Sequence, residues 1–142
     1  MKTSARNQLQ GTVTAIHPGA VNATVEISLN DHDSLSAMIT MDSLAEMKLG
    51  PGSEVMALIK APSVLIVLDD PTVKLSARNN LHGTVARITR GAVNADVALE
   101  LPGGSILSAI ITLESLDHLG LEVGQAACAV FKAGSVILGV KV

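Results

Sequence analysis

Residues 21–29, VNATVEISL, alternate apolar and polar side chains, and residues 93–101, VNADVALEL, repeat the pattern 72 positions later. A period of two places one set of side chains on each face of a β-strand, so both stretches are predicted strands with one buried face. Residues 35–41 and 107–113 alternate in the same way. The chain is therefore predicted to consist mainly of short strands.

The repeat extends along the whole chain. Residues 1–70 placed on residues 73–142 agree at about 31 of 70 positions without a gap. Such agreement at one fixed offset indicates a tandem duplication, so we predict one domain over 1–70 and a second over 71–142. Units of about 70 residues bury a limited fraction of their surface, so we expect the halves to pack intimately or to oligomerise.

Each half is predicted to contain five strands and one short helix. In the first half, strands are expected at 9–16, 21–29, 35–41, 54–60 and 64–68, and Thr40 is a possible cap of a helix that runs to about Leu49. Five strands with a helix between the third and fourth are typical of the oligonucleotide/oligosaccharide-binding (OB) barrel. The predicted fold class is therefore all-β, with two tandem OB-like barrels. The fourth strand is apolar on both faces, which favours an interface there.

Composition and charge exclude several classes of protein. The chain has 142 residues, a formal net charge of −3, 48% hydrophobic residues and one aromatic ring, that of Phe131. Such a chain is too apolar to be disordered, and it lacks the basic patch and the stacking platforms of nucleic-acid binders. A single cysteine, no apolar leader and no long apolar run favour a cytoplasmic protein that neither enters nor crosses a membrane.

No enzyme constellation is visible in the sequence. None of the four histidines has a histidine partner in the other repeat, and no phosphate loop or nucleophile motif is present. Residues 31–33, Asp-His-Asp, resemble metal ligands but become Gly-Gly-Ser in the second half, so we expect no metal cation. Cys128 aligns with Met56 and is predicted to be a small buried hydrophobe. We therefore expect neither catalysis nor an organic cofactor.

Both halves do keep a set of hydrogen-bond donors. They are Ser4, Arg6, Thr40, Ser43, Lys60 and Ser63 in the first half, and Ser76, Arg78, Thr112, Ser115, Lys132 and Ser135 in the second. Cations, hydroxyls and the N–H groups at a helix start suit a small oxyanion. Plainer readings stay open: the hydroxyls are helix caps, the lysines are solvated strand ends, and the arginines are surface charges. Asp42 and Glu114 would oppose an anion and are expected to face solvent.

Four ordered motifs carry a family resemblance. Ser-Ala-Arg-Asn with Leu-x-Gly-Thr-Val, Gly-Ala-Val-Asn-Ala, Ile-Thr-x-x-Ser and Lys-Ala-x-x-Val each occur twice, and together they closely resemble the molybdate-binding Mop/TOBE domain. Two copies in one chain are similar to the di-Mop molbindins, which are cytoplasmic proteins of molybdenum storage or homeostasis. The resemblance implies molybdate or tungstate as ligand and self-assembly into a homotrimer of six domains.

The resemblance also implies two classes of oxyanion site at contacts between domains. The first would use the repeated donors, assisted by backbone around Ala5, Ala61, Ala77 and Ala133. The second would use the Gly-Ala-Val-Asn turns, with Ala20, Val21 and Asn22 in one repeat and Ala92, Val93 and Asn94 in the other. Gly134 replaces Pro62 between the copies, so the two lysine loops need not hold an anion equally well.

Two alternatives to storage remain at this point. Related domains occur as ligand-sensing parts of transcription regulators and transporter ATPases, so the chain could be a regulatory module that acts through a separate partner. A nucleic-acid-binding OB protein rests on fold analogy only.

Overall fold

The computed structural model describes all 142 residues, and the chain forms ten strands and two short helices. The first half contains β1 (Asn7–Pro18), β2 (Asn22–Ser28), β3 (Ser34–Thr40), α1 (Met41–Glu46), β4 (Glu54–Ile59) and β5 (Leu65–Val67). The second half contains β6 (Asn79–Arg90), β7 (Asn94–Glu100), β8 (Ile106–Thr112), α2 (Leu113–Leu119), β9 (Ala126–Phe131) and β10 (Ile137–Gly139). Short 3-10 turns at Ala61–Ser63 and Ala133–Ser135 precede β5 and β10.

The two halves exchange their last strands. One sheet has the order β10-β4-β1-β2-β3, and the other has the order β5-β9-β6-β7-β8. Ile137 pairs with Leu58 across the repeats, and Leu65 pairs with Val130. Each five-stranded sheet therefore takes four strands from one repeat and one from the other, which is the intimate packing expected for such small units. The predicted boundary between residues 70 and 71 therefore does not separate one sheet from the other.

Each sheet curls into a partly open OB-like barrel. The added strand β10 approaches β3, and β5 approaches β8, without ladder hydrogen bonds between them. A register shift at Val13–Ala15 in β1, repeated at Val85–Arg87 in β6, bends the long strand of each barrel. The alternating residues of β2 and β7 point inward, since Val25, Ile27, Val97 and Leu99 are fully buried. The predicted fold class is thus confirmed.

Most predicted boundaries differ from the structure by one to three residues, and β1 extends two residues beyond its predicted range at each end. Helix α1 ends at Glu46 rather than near Leu49, because Lys48 adopts a left-handed conformation with φ 52° where the other repeat has Gly120 with φ 62°. The fourth strand ends at Ile59, and Lys60 begins the following turn. One face of β4 is buried in the barrel, whereas Met56 and Leu58 on the other face are half-buried.

Two buried asparagines fasten each barrel to the other half. The Asn7 amide donates from Nδ2 to the Ser108 carbonyl and accepts from the Ser108 N–H, both at 2.8 Å. Asn79 makes the same pair of bonds with Ser36, also at 2.8 Å. Ser108 lies on β8 and Ser36 on β3, the last strand of each sheet order. Each side-chain amide therefore acts as a short strand partner for an otherwise open edge.

A third fastening joins the two hairpin loops. The buried Asp33 carboxylate accepts the backbone N–H of Gly103 at 2.9 Å and that of Ser105 at 3.2 Å. Asn30 donates to the same carboxylate and to the Ser105 hydroxyl. Burial raises the pKa of Asp33, but the hydrogen bonds from Asn30, Gly103 and Ser105 outweigh it and hold this pKa below its ordinary value. The carboxylate thus links the two hairpin loops through hydrogen bonds to Asn30, Gly103 and Ser105, and we call this arrangement the clasp.

The clasp predicts an acid-sensitive contribution to stability. Because the pKa of Asp33 is lowered by folding, its contribution is present above the ordinary aspartate pKa and is lost as the pH falls through that value toward the folded one. We expect Asp33→Asn to lower the free energy of unfolding by about 1–3 kcal/mol at pH 7 and to flatten its fall toward pH 3. Denaturant titrations at both pH values measure this, with Asp31→Asn, on the exposed side of the loop, as control. An unchanged pH slope in Asp33→Asn would contradict the clasp.

Candidate oxyanion sites

The hydroxyl pair at the start of each helix is a cap. Thr40 Oγ1 accepts the Ser43 N–H at 3.0 Å and lies 2.9 Å from the Ser43 hydroxyl. Thr112 and Ser115 repeat both distances. The Met41 N–H donates to the Val21 carbonyl at 2.8 Å. Thr40 and Thr112 therefore act as helix caps, and the N–H groups of Met41 and Ser43 are engaged within the protein.

Each lysine turn lies against the opposite repeat. The first lysine turn (residues 60–63) packs on β8, and the second (residues 132–135) packs on β3. Lys60 and Lys132 are exposed and make no ion pair, whereas Ala61 and Ala133 are buried and anchor the turns. Both turns are therefore anchored at their alanines, and neither lysine has an acidic partner.

The Ser-Ala-Arg segments accompany the lysine turns. Asn7 pairs with Ile59 and Asn79 with Phe131, so each arginine lies next to the strand end that leads into the lysine of the same repeat. The hydrogen bonds from Asn7 to Ser108 and from Asn79 to Ser36 attach each segment to a strand of the opposite repeat. The Ala5 N–H donates to Thr3 Oγ1 at 3.1 Å, so this amide is engaged locally. Ser4 and Ser76 are exposed.

The resemblance groups the donors by repeat, whereas the fold groups them across repeats. We call composite site 1 the set from the second lysine turn and its arginine segment with the first helix cap: Ser76, Ala77, Arg78, Lys132, Ala133, Ser135, Thr40 and Ser43. Composite site 2 is the reciprocal set: Ser4, Ala5, Arg6, Lys60, Ala61, Ser63, Thr112 and Ser115. Each candidate site is thus completed by the half of the chain that does not supply its lysine.

A cavity of about 350 Å³ lies beside the hydroxyl pair of composite site 1, and neither Lys132 nor Arg78 lines it. Its wall contains Thr40, Ser43 and Gly134, together with the apolar side chains of Met38 and Ile137. Gly134 belongs to the second lysine turn, so the cavity is bounded by both repeats. A side chain added at Gly134 would lie 3.5 Å from the Met38 methyl group, which is ordinary contact distance. The cavity has room for a small anion beside the hydroxyl pair.

The Gly-Ala-Val-Asn turns are exposed and tightly closed. The Gly19 N–H donates to the Asn22 carbonyl at 2.8 Å, and a Cβ on Gly19 would lie 2.6 Å from that oxygen, so the turn requires glycine. Val21 and Val93 are each 71% exposed. Asn22 pairs with Thr40 and also lines the cavity. Asn22, which the resemblance assigns to the second class of oxyanion site, therefore lies beside Thr40 of the first class.

The acidic residues at the helix starts are exposed and the single cysteine is buried, as the sequence predicts. Asp42 and Glu114 are exposed, as expected for carboxylates that leave an anion site free. Cys128 is buried with its sulfur 3.1 Å from His82 Nδ1. Burial, with a smaller effect of Asp69, raises the pKa of the Cys128 thiol, so it stays protonated and packs as a hydrophobe. No group of three or more metal-ligating side chains is present.

Sequence reasoning missed three residues that shape the sites. Asn7 and Asn79 were visible as a repeated asparagine next to the arginine, but their hydrogen bonds to the other repeat depend on the three-dimensional arrangement. Asp96 occurs in one repeat only, where Thr24 stands in the other, and it forms an ion pair with Arg6. No pattern in the sequence linked positions 6 and 96.

These features define a tandem OB-like protein whose small polar sites lie between its repeats, and comparison with known proteins identifies the family. The TOBE domain matches the chain twice, over residues 3–66 and 75–138. The chain belongs to the TOBE domain family, with two copies in tandem, which confirms the resemblance seen in the sequence.

Individual relatives carry names connected with molybdenum. The chain is 46% identical over 140 residues to the molybdenum transport protein ModE of Azotobacter vinelandii, and 49% identical over 138 residues to the molybdenum-pterin-binding protein MopA of Rhodobacter capsulatus. These matches cover 99% and 97% of the chain but 52% of each relative, so the chain spans about half the length of the curated relatives it matches.

A solved structure is similar over the full length. The cytoplasmic molybdate-binding protein ModG, in a crystal form with molybdate bound, is 50% identical and superposes with a TM-score of 0.94 over 99% of this chain and 100% of that one. These neighbours are described as binding and transport proteins rather than enzymes. Neither helix of the present chain has the length and hydrophobicity to cross a membrane.

Proposed function

We propose that this chain is a cytoplasmic oxyanion-binding protein that stores or buffers molybdate or tungstate. The observation that carries the proposal is the match along the whole chain to ModG, a protein crystallised with molybdate bound. The cross-repeat grouping of donors supports it, because both composite sites combine unpaired lysine charge with a hydroxyl pair. Both groups favour a tetrahedral dianion.

The ligand is held by hydrogen bonds and charge that replace its hydration shell. A dianion leaves water at an acceptable free-energy cost only where several donors converge on it. Lys132 supplies charge from one repeat, and Thr40 and Ser43 supply hydroxyls from the other. A fixed set of donors spaced for molybdate or tungstate would be stretched around the smaller sulfate, which provides selectivity by size.

Assembly extends the same principle between chains. The proposed assembly is a homotrimer that presents six domains, with the second class of sites at Ala20, Val21 and Asn22 and at Ala92, Val93 and Asn94. The exposure of Val21 and Val93 supports this assignment, since an apolar side chain on a rigid turn gains from a partner surface. An anion bound between chains stabilises the assembly by mass action.

A second candidate function is a ligand-sensing module that acts through a separate partner protein. It is favoured by the relatives that are about twice the length of this chain, since their additional half is available for another activity. A partner that binds purified chain only when molybdate is present would favour this function over storage.

Calorimetric titration of the purified chain with sodium molybdate tests the proposal, with sulfate as the competing anion. We expect several molybdates per trimer and weaker binding of sulfate. Light scattering with and without molybdate reports the assembly. No heat of binding, together with no molybdenum retained after desalting, would overturn the proposed function.

A further inference from the structure

The two composite sites differ in one charge. In composite site 2, Arg6 Nη1 donates to Asp96 Oδ2 at 2.8 Å. The position equivalent to Asp96 in the other repeat is Thr24, and Arg78 makes no ion pair. The next carboxylate on the outer face of that strand, Glu26, accepts the hydroxyl hydrogen of Ser36 instead. One arginine is therefore neutralised, and its counterpart is free.

Arg6, whose side chain is 59% exposed, contacts the largely buried Asp96. The Asp96 side chain is only 14% exposed, and its second oxygen, Oδ1, is buried without a hydrogen-bond partner. A buried carboxylate with one satisfied oxygen depends on the cation that it contacts. Moving Arg6 to an anion would leave this charge unpaired, so the ion pair opposes transfer of the guanidinium to a ligand.

Asp96 also lies on the ligand side of the strand pair. In the register of β7 and β8, Asp96 is opposite Ile110, and Asn94 is opposite Thr112. Residues two apart share a face, so Asp96 and Thr112 lie on the same outer face of the strand pair, and the first lysine turn packs on β8. Its negative charge therefore stands near the place where the proposed anion would bind.

We propose that Asp96 makes the two composite sites unequal: composite site 1 binds the oxyanion more tightly, and composite site 2 is a weaker site that fills later. This inference rests on the proposed function. The carboxylate acts in two ways, since it competes with the anion for Arg6 and repels it directly. Removal of one opposing unit charge beside a dianion is expected to change affinity by about tenfold.

Exchange of the two residues provides the test. Calorimetry of the full chain with molybdate should resolve a tighter and a weaker set of composite sites. Asp96→Thr should tighten the weaker set by about tenfold and bring the two sets together. Thr24→Asp should weaken the tighter set by a similar factor, because it places the same carboxylate opposite Arg78. The control Asp117→Asn removes the carboxylate of the exposed Arg90–Asp117 pair and should change neither set.

The outcomes separate this inference from the proposed function. If the wild-type chain takes up no molybdate, both are overturned. If it binds molybdate but Asp96→Thr and Thr24→Asp leave both affinities unchanged, the inequality assigned to Asp96 is wrong and the proposed function stands. A coupling measurement excludes a merely structural effect: Arg6→Ala should weaken binding more in the Asp96→Thr background than in the wild type.

Discussion

Replacing Lys60 and Lys132 together by alanine is expected to lower the affinity for molybdate by about 10- to 100-fold at each composite site. Both ammonium groups are exposed and free of ion pairs, so their charge is available to a ligand. A hydrogen bond from a charged donor contributes about 1.5–3 kcal/mol, which corresponds to that range of affinity. Calorimetry and molybdenum analysis of the desalted protein measure the loss.

The stability of this variant should be unaffected, because neither lysine side chain is buried. A control with the same change in net charge is Lys48→Ala with Lys141→Ala, which removes two exposed lysines outside both composite sites. It should retain wild-type affinity. If the Lys60 and Lys132 variant binds molybdate with wild-type stoichiometry and affinity, the lysine turns do not take part in binding.

Replacing Asn7 and Asn79 by alanine is expected to destabilise the chain by about 2–4 kcal/mol for each residue. Each change leaves one N–H and one carbonyl of a strand without a partner, at Ser108 or at Ser36. An unsatisfied buried group costs about 1–3 kcal/mol, and the two sites together approach the whole stability of an average domain. Denaturant unfolding of the single and double variants measures the cost.

The neighbouring residues supply the control for this prediction. Gln8 and Asn80 follow the two asparagines and are exposed, so Gln8→Ala with Asn80→Ala should change the free energy of unfolding little. If the asparagine variants behave like this control, the amides do not hold the halves together. The single variants keep the test informative if the double variant fails to fold.

The strands and helix caps could be predicted from the sequence because they follow from local pattern. Alternation over residues 21–29 predicted β2 within one residue at each end, and Thr40 was a cap candidate by residue type alone. These features depend on side chains that lie close together in the chain.

The strand exchange could not be predicted, because the duplication makes two edges nearly equivalent. Strands β5 and β10 are short and apolar, and either one could pair with β4 or β9 without breaking the alternating pattern. A period of two determines which face of a strand is buried but not which neighbour it pairs with. The exchange in turn regroups the donors across repeats, so the composition of each candidate site also lay beyond the sequence.

The most direct test is a crystal structure of the chain grown with molybdate, with anomalous scattering from molybdenum used to locate the anion. We expect molybdenum at composite site 1, within hydrogen-bond reach of Lys132 from one repeat and of Thr40 or Ser43 from the other. Saturated crystals with no molybdenum at either composite site, or with molybdenum held by donors of a single repeat, would contradict this prediction.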